Sequence, residues 1–254
     1  MLNFKRKKVR LDNYLVEVKS VKSRSWAKKL IQEQKVVVNG VPAKKAGLEI
    51  SDSDTIEILE DFKYVSRAGY KLEKAIEEFK VKTQNRVCLD LGASTGGFTH
   101  CLLQNGASHV YGIDVGEGQM DQGLRNDPKV TCIEKVNARM LDDLIRTKLI
   151  PPFEPIPDLV VADLSFISLT LVLKAVVNAV SPHSEFIVLV KPQFELGQEA
   201  LNKKGVVADN RVRIKALDKI TDFCKENGWL VLNSTQSPIK GGDGNVEYIL
   251  HFKS

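Results

Sequence analysis

The chain lacks most of what would mark it as secreted, metal-bound or membrane-spanning. It has four cysteines in 254 residues, Cys88, Cys101, Cys132 and Cys224, and none form a C-x-x-C pair. Three of them lie in or beside apolar runs. This spacing argues against a disulfide framework and against a metal site, and it fits a reducing cytosol. Apolar runs stay short, as in Phe186 to Val190. They fall well below the roughly 18 residues of a spanning helix, so no membrane segment is expected. The basic stretch Met1 to Arg10 is not followed by an apolar one, so no secretory signal is expected. Hydrophobic residues at 43% and charged residues at 27% give an ordinary globular balance, which removes disordered and collagen-like classes. The length allows one large domain or two unequal ones.

Charge is present and unevenly placed. Residues 1–45 carry 13 Lys/Arg against 3 Asp/Glu, whereas the remainder carries 24 against 29. A basic head on a mildly acidic body suggests a polyanion-binding module joined to something else. A solubilising tail is the plainer alternative. Leu11, Tyr14, Leu15 and Val18 mark one face of a short helix. Ser23 or Ser25 can cap a second helix, whose apolar face is Ala27, Leu30 and Ile31. Val36 to Val38 reads as a strand, Asn39-Gly40 as a tight turn and Thr55 to Leu59 as another strand. Arg10, Lys22, Arg24, Lys28 and Lys29 fall on the exposed faces, spaced to follow a phosphate backbone. Arg10-Leu11-Asp12, Ser23-Arg24-Ser25, Ala27, Ile31 and Val36 to Gly40 resemble the S4 RNA-binding domain. The usual glycine before the strand is replaced by Glu33-Gln34-Lys35.

Asp61 to Val65 shows no period and reads as a linker. Ser66 can cap the next helix, whose buried face is Leu72, Ala75, Ile76 and Phe79. Lys71 sits near that helix start, unfavourably for the helix dipole. From Arg86 onward, apolar runs alternate with helical stretches. The expected strands are Val87–Leu91, Val110–Asp114, Val130–Glu134, Leu159–Asp163, Phe186–Lys191, Trp229–Asn233 and Val246–Phe252. This alternation predicts a parallel sheet with helices on both faces, and ligands outside the carboxyl ends of its strands.

The first of these strands runs into Asp90-Leu91-Gly92-Ala93-Ser94-Thr95-Gly96-Gly97-Phe98. Glycines there permit a tight turn and close approach of a cofactor to the backbone. Neither the G-x-G-x-x-G fingerprint nor the phosphate loop fits, which disfavours NAD and ATP. Asp114 ends the second strand, 24 residues beyond Asp90, where a carboxylate can hold ribose hydroxyls. The pair points to a nucleoside-containing cofactor. Asp163 and Lys191 end the fourth and fifth strands and emerge at the same edge. Glu247 reaches that edge only if the last strand runs antiparallel. The Gly- and Pro-rich connection Ser234 to Asn245 suits such a return. Lys71 could complete the set. Two amines and two carboxylates in one cleft can be poised for general-base work on a hydroxyl. A pair of structural salt bridges is the alternative.

Taken together, Ser66 to Leu72, Asp90 to Phe98, Ala162 to Ser168, Val190 to Glu195 and Gly244 to Tyr248 resemble the TlyA family across essentially the whole chain. The resemblance implies a cytoplasmic, S-adenosylmethionine-dependent ribosomal RNA ribose 2′-O-methyltransferase, of a family historically called hemolysins. It implies an α/β fold: a Rossmann-like class I methyltransferase sheet, mostly parallel with its last strand antiparallel, preceded by a small α+β S4-like domain. The expected domains are residues 1–60, a linker at 61–65 and an FtsJ-like catalytic domain at 66–254. A Lys-Asp-Lys-Glu tetrad maps onto Lys71, Asp163, Lys191 and Glu247. Gly92, Ala93, Ser94, Gly96 and Gly97 would cradle the methionine part of the cofactor, with Asp90, Phe98 and Asp163 among its other contacts. Asp114 would hold the ribose and Asn137 the adenine side; a turn role for Asn137 is the alternative. The stretch after Glu247 resembles that of members restricted to large-subunit RNA, so a cytidine of 23S RNA is the expected target, with 16S RNA a further possibility. Lys191 would handle the hydroxyl proton, with Asp163 and Lys71 orienting it and Glu247 positioning the nucleotide or Lys71. Glu195 to Asp209 is a candidate lid. The expected partner is ribosomal RNA or a ribosomal subunit, not DNA and not a membrane. A membrane-lytic protein and a non-catalytic RNA-binding protein are the rival readings.

Overall fold

A computed structural model describes residues 8–19, 21, 23–59, 63–241 and 244–254. The chain divides into two compact units, Met1–Lys63 and Tyr64–Ser254. The first holds β1 (Val9–Arg10), α1 (Leu11–Glu17), α2 (Arg24–Gln32), β2 (Val36–Val38), β3 (Val41–Pro42), β4 (Glu49–Ile50) and β5 (Ile56–Ile58). β1 pairs with β4, and β2 lies between β3 and β5. Leu11, Leu15, Ala27, Leu30, Ile31, Val36, Ile50 and Ile56 share one core. Ser23 caps α2, its Oγ accepting the Trp26 N–H at 3.2 Å. Asn39 and Gly40 both take positive φ, 52° and 78°, as a tight hairpin turn requires. Gln34 takes the left-handed conformation, φ 57°, in the stretch that departs from the S4 pattern. Val18, expected on the buried face of α1, is 59% exposed. The helix ends at Glu17, so its apolar stripe is not continued.

The second unit opens with α3 (Ala68–Phe79), β6 (Val87–Leu91), α4 (Gly97–Gln104), β7 (His109–Ile113), α5 (Gln122–Arg125) and β8 (Val130–Ile133). It continues with α6 (Leu141–Arg146), β9 (Leu159–Ala162), α7 (Leu173–Val177), β10 (Glu185–Val190), α8 (Pro192–Glu195), α9 (Asn210–Glu226), β11 (Leu230–Gln236) and β12 (Tyr248–Lys253). One sheet has the order β11-β12-β10-β9-β6-β7-β8. β12 runs antiparallel to both neighbours, and the other pairings are parallel. β11 continues to Gln236, past the expected end at Asn233, because β12 pairs with it that far.

Side chains alternate across a strand, and here both faces are apolar. Leu159, Val161, Ile187, Leu189 and Ile249 meet α3 and α4 through Leu72, Ala75, Ile76, Phe98 and Leu102. Val160, Ala162, Phe186, Val188, Leu250 and Phe252 meet α6, α7 and α9 through Leu141, Leu173, Val176, Ala216 and Ile220.

The expected linker is shorter than the sequence suggested. Residues 61 and 62 lie outside the described residues, but Tyr64 and Val65 are buried in the second unit. The Tyr64 hydroxyl donates to Glu73 at 2.9 Å, and its ring packs edge-on against Tyr70 and His100. Ser66 does not cap α3; Arg67 holds the cap position and makes no side-chain cap bond. No described helix is long and apolar enough to cross a membrane.

Candidate active site

Strand parity brings the tetrad to one face. Asp163 follows β9, Lys191 follows β10 and Glu247 precedes β12. Each has the same odd parity as its neighbours Val161, Leu189 and Ile249, which face α3. Lys71 lies one turn before Ala75 on the buried side of α3. Lys71 Nζ is 2.6 Å from Glu247 Oε2 and 3.4 Å from Asp163 Oδ2. Lys191 Nζ is 2.6 Å from Asp163 Oδ1 and donates to Ser165 Oγ at 2.9 Å. Lys71, Lys191 and Glu247 are all buried. Burial alone would push the Asp163 carboxyl up; the ammonium groups of Lys191 and Lys71 outweigh it and hold it below the usual value.

Two adjoining clefts open beside this cluster. One, of about 190 Å³, is walled by Ser66, Ala68, Ala93, Gly97, Phe98 and Lys191. The other, of about 430 Å³, is lined by Ile113, Asp114, Val115, Val136, Asn137 and Phe166. Gly92, Ser94, Asp163 and Ser165 belong to both. Lys71 and Glu247 line neither; they stand behind Asp163 and Lys191.

The glycine loop is built for close approach. Gly92 has φ 77°, and a Cβ there would stand 2.8 Å from the Asp163 carbonyl oxygen, so no side chain fits between loop and tetrad. Asp114 ties the loop to the end of β7, its carboxylate accepting the Ser94 N–H at 2.8 Å and the Gly116 N–H at 2.7 Å. Asn137 lines the larger cleft, and its side chain accepts the Arg139 N–H at 3.0 Å, a turn bond.

Two expected cofactor contacts line neither cleft. Asp90 is fully buried and accepts the Thr99 N–H at 2.9 Å and the Thr99 hydroxyl at 2.7 Å, which fixes the start of α4. Burial pushes its carboxyl up to about 7, against those hydrogen bonds. Gly96 turns the loop under Leu124 and Met120. Conversely, Ser66, Ser165 and Phe166 line the clefts, although the sequence offers Ser66 only as a helix cap and gives Ser165 and Phe166 no role. Phe166 is 90% exposed, takes φ 63° and lies 5.0 Å from the Phe194 ring.

The candidate lid is anchored. Glu195 is buried and accepts the Leu169 N–H at 2.8 Å. Asn245 accepts the Val207 N–H and donates to the Gly205 carbonyl, both at 3.0 Å. The loop therefore hangs between α8 and the entry to β12.

On the basic head, Lys22 lies outside the described residues. Arg10 and Arg24 are half exposed, but both pair with the buried carboxylate of Asp12. Lys28 is exposed, and Lys29 lies 5.1 Å from the centre of the Trp26 ring.

Residues 64–254 match the FtsJ-like methyltransferase model and residues 9–56 the S4 domain model. This chain belongs to the FtsJ-like methyltransferases. Within that family it is 41% identical to Hemolysin A of Brachyspira hyodysenteriae, over 96% of this chain and 99% of that one. It is also 41% identical to the 16S/23S rRNA (cytidine-2′-O)-methyltransferase TlyA of Mycobacterium tuberculosis, over 98% of this chain and 91% of that one. A solved structure from Streptococcus thermophilus that carries the hemolysin name aligns with TM-score 0.75 at 36% identity, over 97% of this chain and 88% of that one. Among the described residues no cluster of side chains could hold a metal ion.

Proposed function

We propose that the protein transfers a methyl group from S-adenosylmethionine to a ribose 2′-hydroxyl of ribosomal RNA, at a cytidine of the large-subunit RNA. The observation that carries this reading is the Lys71–Asp163–Lys191–Glu247 cluster opening onto a cleft of nucleoside size. The larger cleft fits the cofactor's nucleoside: Ile113, Val136 and Ala138 offer apolar walls and Asp114 a carboxylate. Gly92 keeps the passage from that cleft to Asp163 free of side chains.

When bound, S-adenosylmethionine supplies a methyl on a sulfonium, already joined to a good leaving group. The chain's own residues orient the nucleophile and remove its proton. Lys191 is the tetrad amine that lines the cleft, so it is the group assigned to the 2′-hydroxyl. The step requires Lys191 as the free amine, its own proton having first passed to water; the proton then leaves the 2′-oxygen for Nζ as that oxygen takes the methyl group, and the ammonium re-formed is held by Asp163. Lys71 and Glu247 are positioning residues: Glu247 fixes Lys71, and Lys71 fixes the second oxygen of Asp163. Ser165 accepts a Lys191 N–H and keeps Nζ aimed into the cleft. Phe166 gives an exposed ring at the cleft mouth on which an unstacked base can lie. The S4-like head supplies affinity for the RNA backbone.

The test is incubation of purified protein with methyl-labelled S-adenosylmethionine and each ribosomal subunit, with naked RNA in parallel. A 2′-O-methyl group blocks attack on the adjoining phosphodiester, so the label should appear in alkali-resistant dinucleotides of 23S RNA that contain cytidine. Label on a base, or no label in any RNA, would overturn the reading. Label confined to 16S RNA would overturn the choice of subunit.

A further inference from the structure

The head unit carries an acid where a simple basic surface would have none. Asp12, in the first turn of α1, is fully buried. Arg10 donates to it through both Nε, 3.0 Å to Oδ1, and Nη2, 2.9 Å to Oδ2. Arg24, at the start of α2, donates through Nη2 to Oδ2 at 3.1 Å. The Asn13 N–H adds a bond to Oδ1 at 3.1 Å. One carboxylate therefore joins the starts of both helices and grips two guanidiniums. The arginine side chains remain 49% and 56% exposed. The Arg10 bonds hold the Asp12 carboxyl well below the usual carboxylate range, against its burial, and Arg24 adds to the effect. Gly47 leaves room for this arrangement: a Cβ there would stand 3.1 Å from Arg10 Nη1.

We propose that Asp12 is a positioning residue for RNA binding, fixing Arg10 and Arg24 as a rigid pair of guanidinium forks that grips the phosphate backbone. The proposal rests on the reading that the head binds RNA. A free surface arginine samples many rotamers and loses them when it meets a phosphate. An arginine tied to a buried carboxylate has lost them already on folding, and its planar fork keeps donors in a fixed direction. The cost is one negative charge within a basic surface. Charge counting and positioning therefore predict opposite signs for the same substitution.

That substitution is Asp12→Asn in the full chain, with binding to a 23S RNA fragment followed across a salt series. It keeps the shape and adds one net positive charge. Positioning predicts binding about tenfold weaker, with no steeper salt dependence. Counterion release alone predicts tighter binding and a steeper slope. The double variant Arg10→Ala, Arg24→Ala separates the two claims. If it weakens binding while Asp12→Asn leaves binding equal or tighter, the positioning role falls and the RNA-binding head stands. If the double variant binds as the parent does, the head's RNA role falls and the proposal with it. Should Asp12→Asn unfold the head, Arg24→Lys decides, because it keeps the charge and removes the fork. Binding weakened severalfold supports the proposal, and unchanged binding overturns it.

Discussion

At the residue scale, the question is how two amines and two carboxylates share a buried corner. Each ammonium has a carboxylate at 2.6 Å, and Asp163 joins the two pairs by touching both lysines. Charges so deep are tolerated only as a set, and removing one leaves another unpaired. Asp163→Asn tests this. Lys71 keeps Glu247, but Lys191 loses its carboxylate. Thermal or denaturant unfolding should show a loss of about 3 kcal/mol, and methyl transfer should fall by roughly a hundredfold or more. A variant as stable and active as the parent would show that Asp163 is not the hub. Strand ends and an expected antiparallel return brought the four residues together in the sequence, and the family's motifs marked them as a tetrad. Spacing alone placed Asp163 and Lys191 at strand ends and left Lys71 as one lysine among many. The roles of Ser165 and Phe166 were hidden, because a hydroxyl partner and a positive φ leave no periodic trace.

At the scale of elements, register does the gathering. β12 must run antiparallel to put Glu247 at the carboxyl edge of the parallel strands, and its parity with Ile249 turns it toward α3. The strands were readable because both faces are buried and their runs are almost purely apolar. Element ends were harder. β11 lies at the sheet edge with a polar tail, so nothing in Ser234 to Gln236 signalled that pairing continues. Tyr64 looked like linker because Asp61 to Val65 shows no period, yet it packs against α3. The opposite edge of the sheet is stapled by Glu185, which accepts from Arg86 and lies 2.7 Å from His251 Nε2. Its bond to His251, with that to Arg86, outweighs burial and holds the carboxyl at about 2. A carboxyl depressed on folding adds stability above its unfolded value and loses it as pH falls through the folded one. Folding stability should therefore decline between about pH 4.5 and 2. Glu185→Gln should remove about 2 kcal/mol at pH 7 and flatten that part of the acid limb in denaturant titrations. An acid limb identical to the parent's would show that Glu185 is not paired in solution.

At the scale of the molecule, charge is divided between the units. Residues 1–45 hold 13 of the 37 Lys/Arg in the chain and only 3 of its 32 Asp/Glu. That asymmetry was plain in the sequence. What was not plain is that Arg10 and Arg24 are tied to Asp12, because Arg10 is two residues from it and Arg24 twelve, and neither spacing marks a partner. Removing residues 1–60 should weaken binding to ribosomal RNA and flatten its salt dependence, since the slope counts the phosphates neutralised. The second unit has its own core, Leu72 to Ile249 on one face and Leu89 to Phe252 on the other, and should stay folded by circular dichroism. An unchanged affinity and slope would assign RNA binding to the larger unit.

The most direct measurement is methyl incorporation into 23S RNA by Lys191→Ala beside the parent protein, with RNA binding assayed on the same preparations. The account predicts that binding is retained and that alkali-resistant, cytidine-containing label disappears. Undiminished label from Lys191→Ala would contradict it.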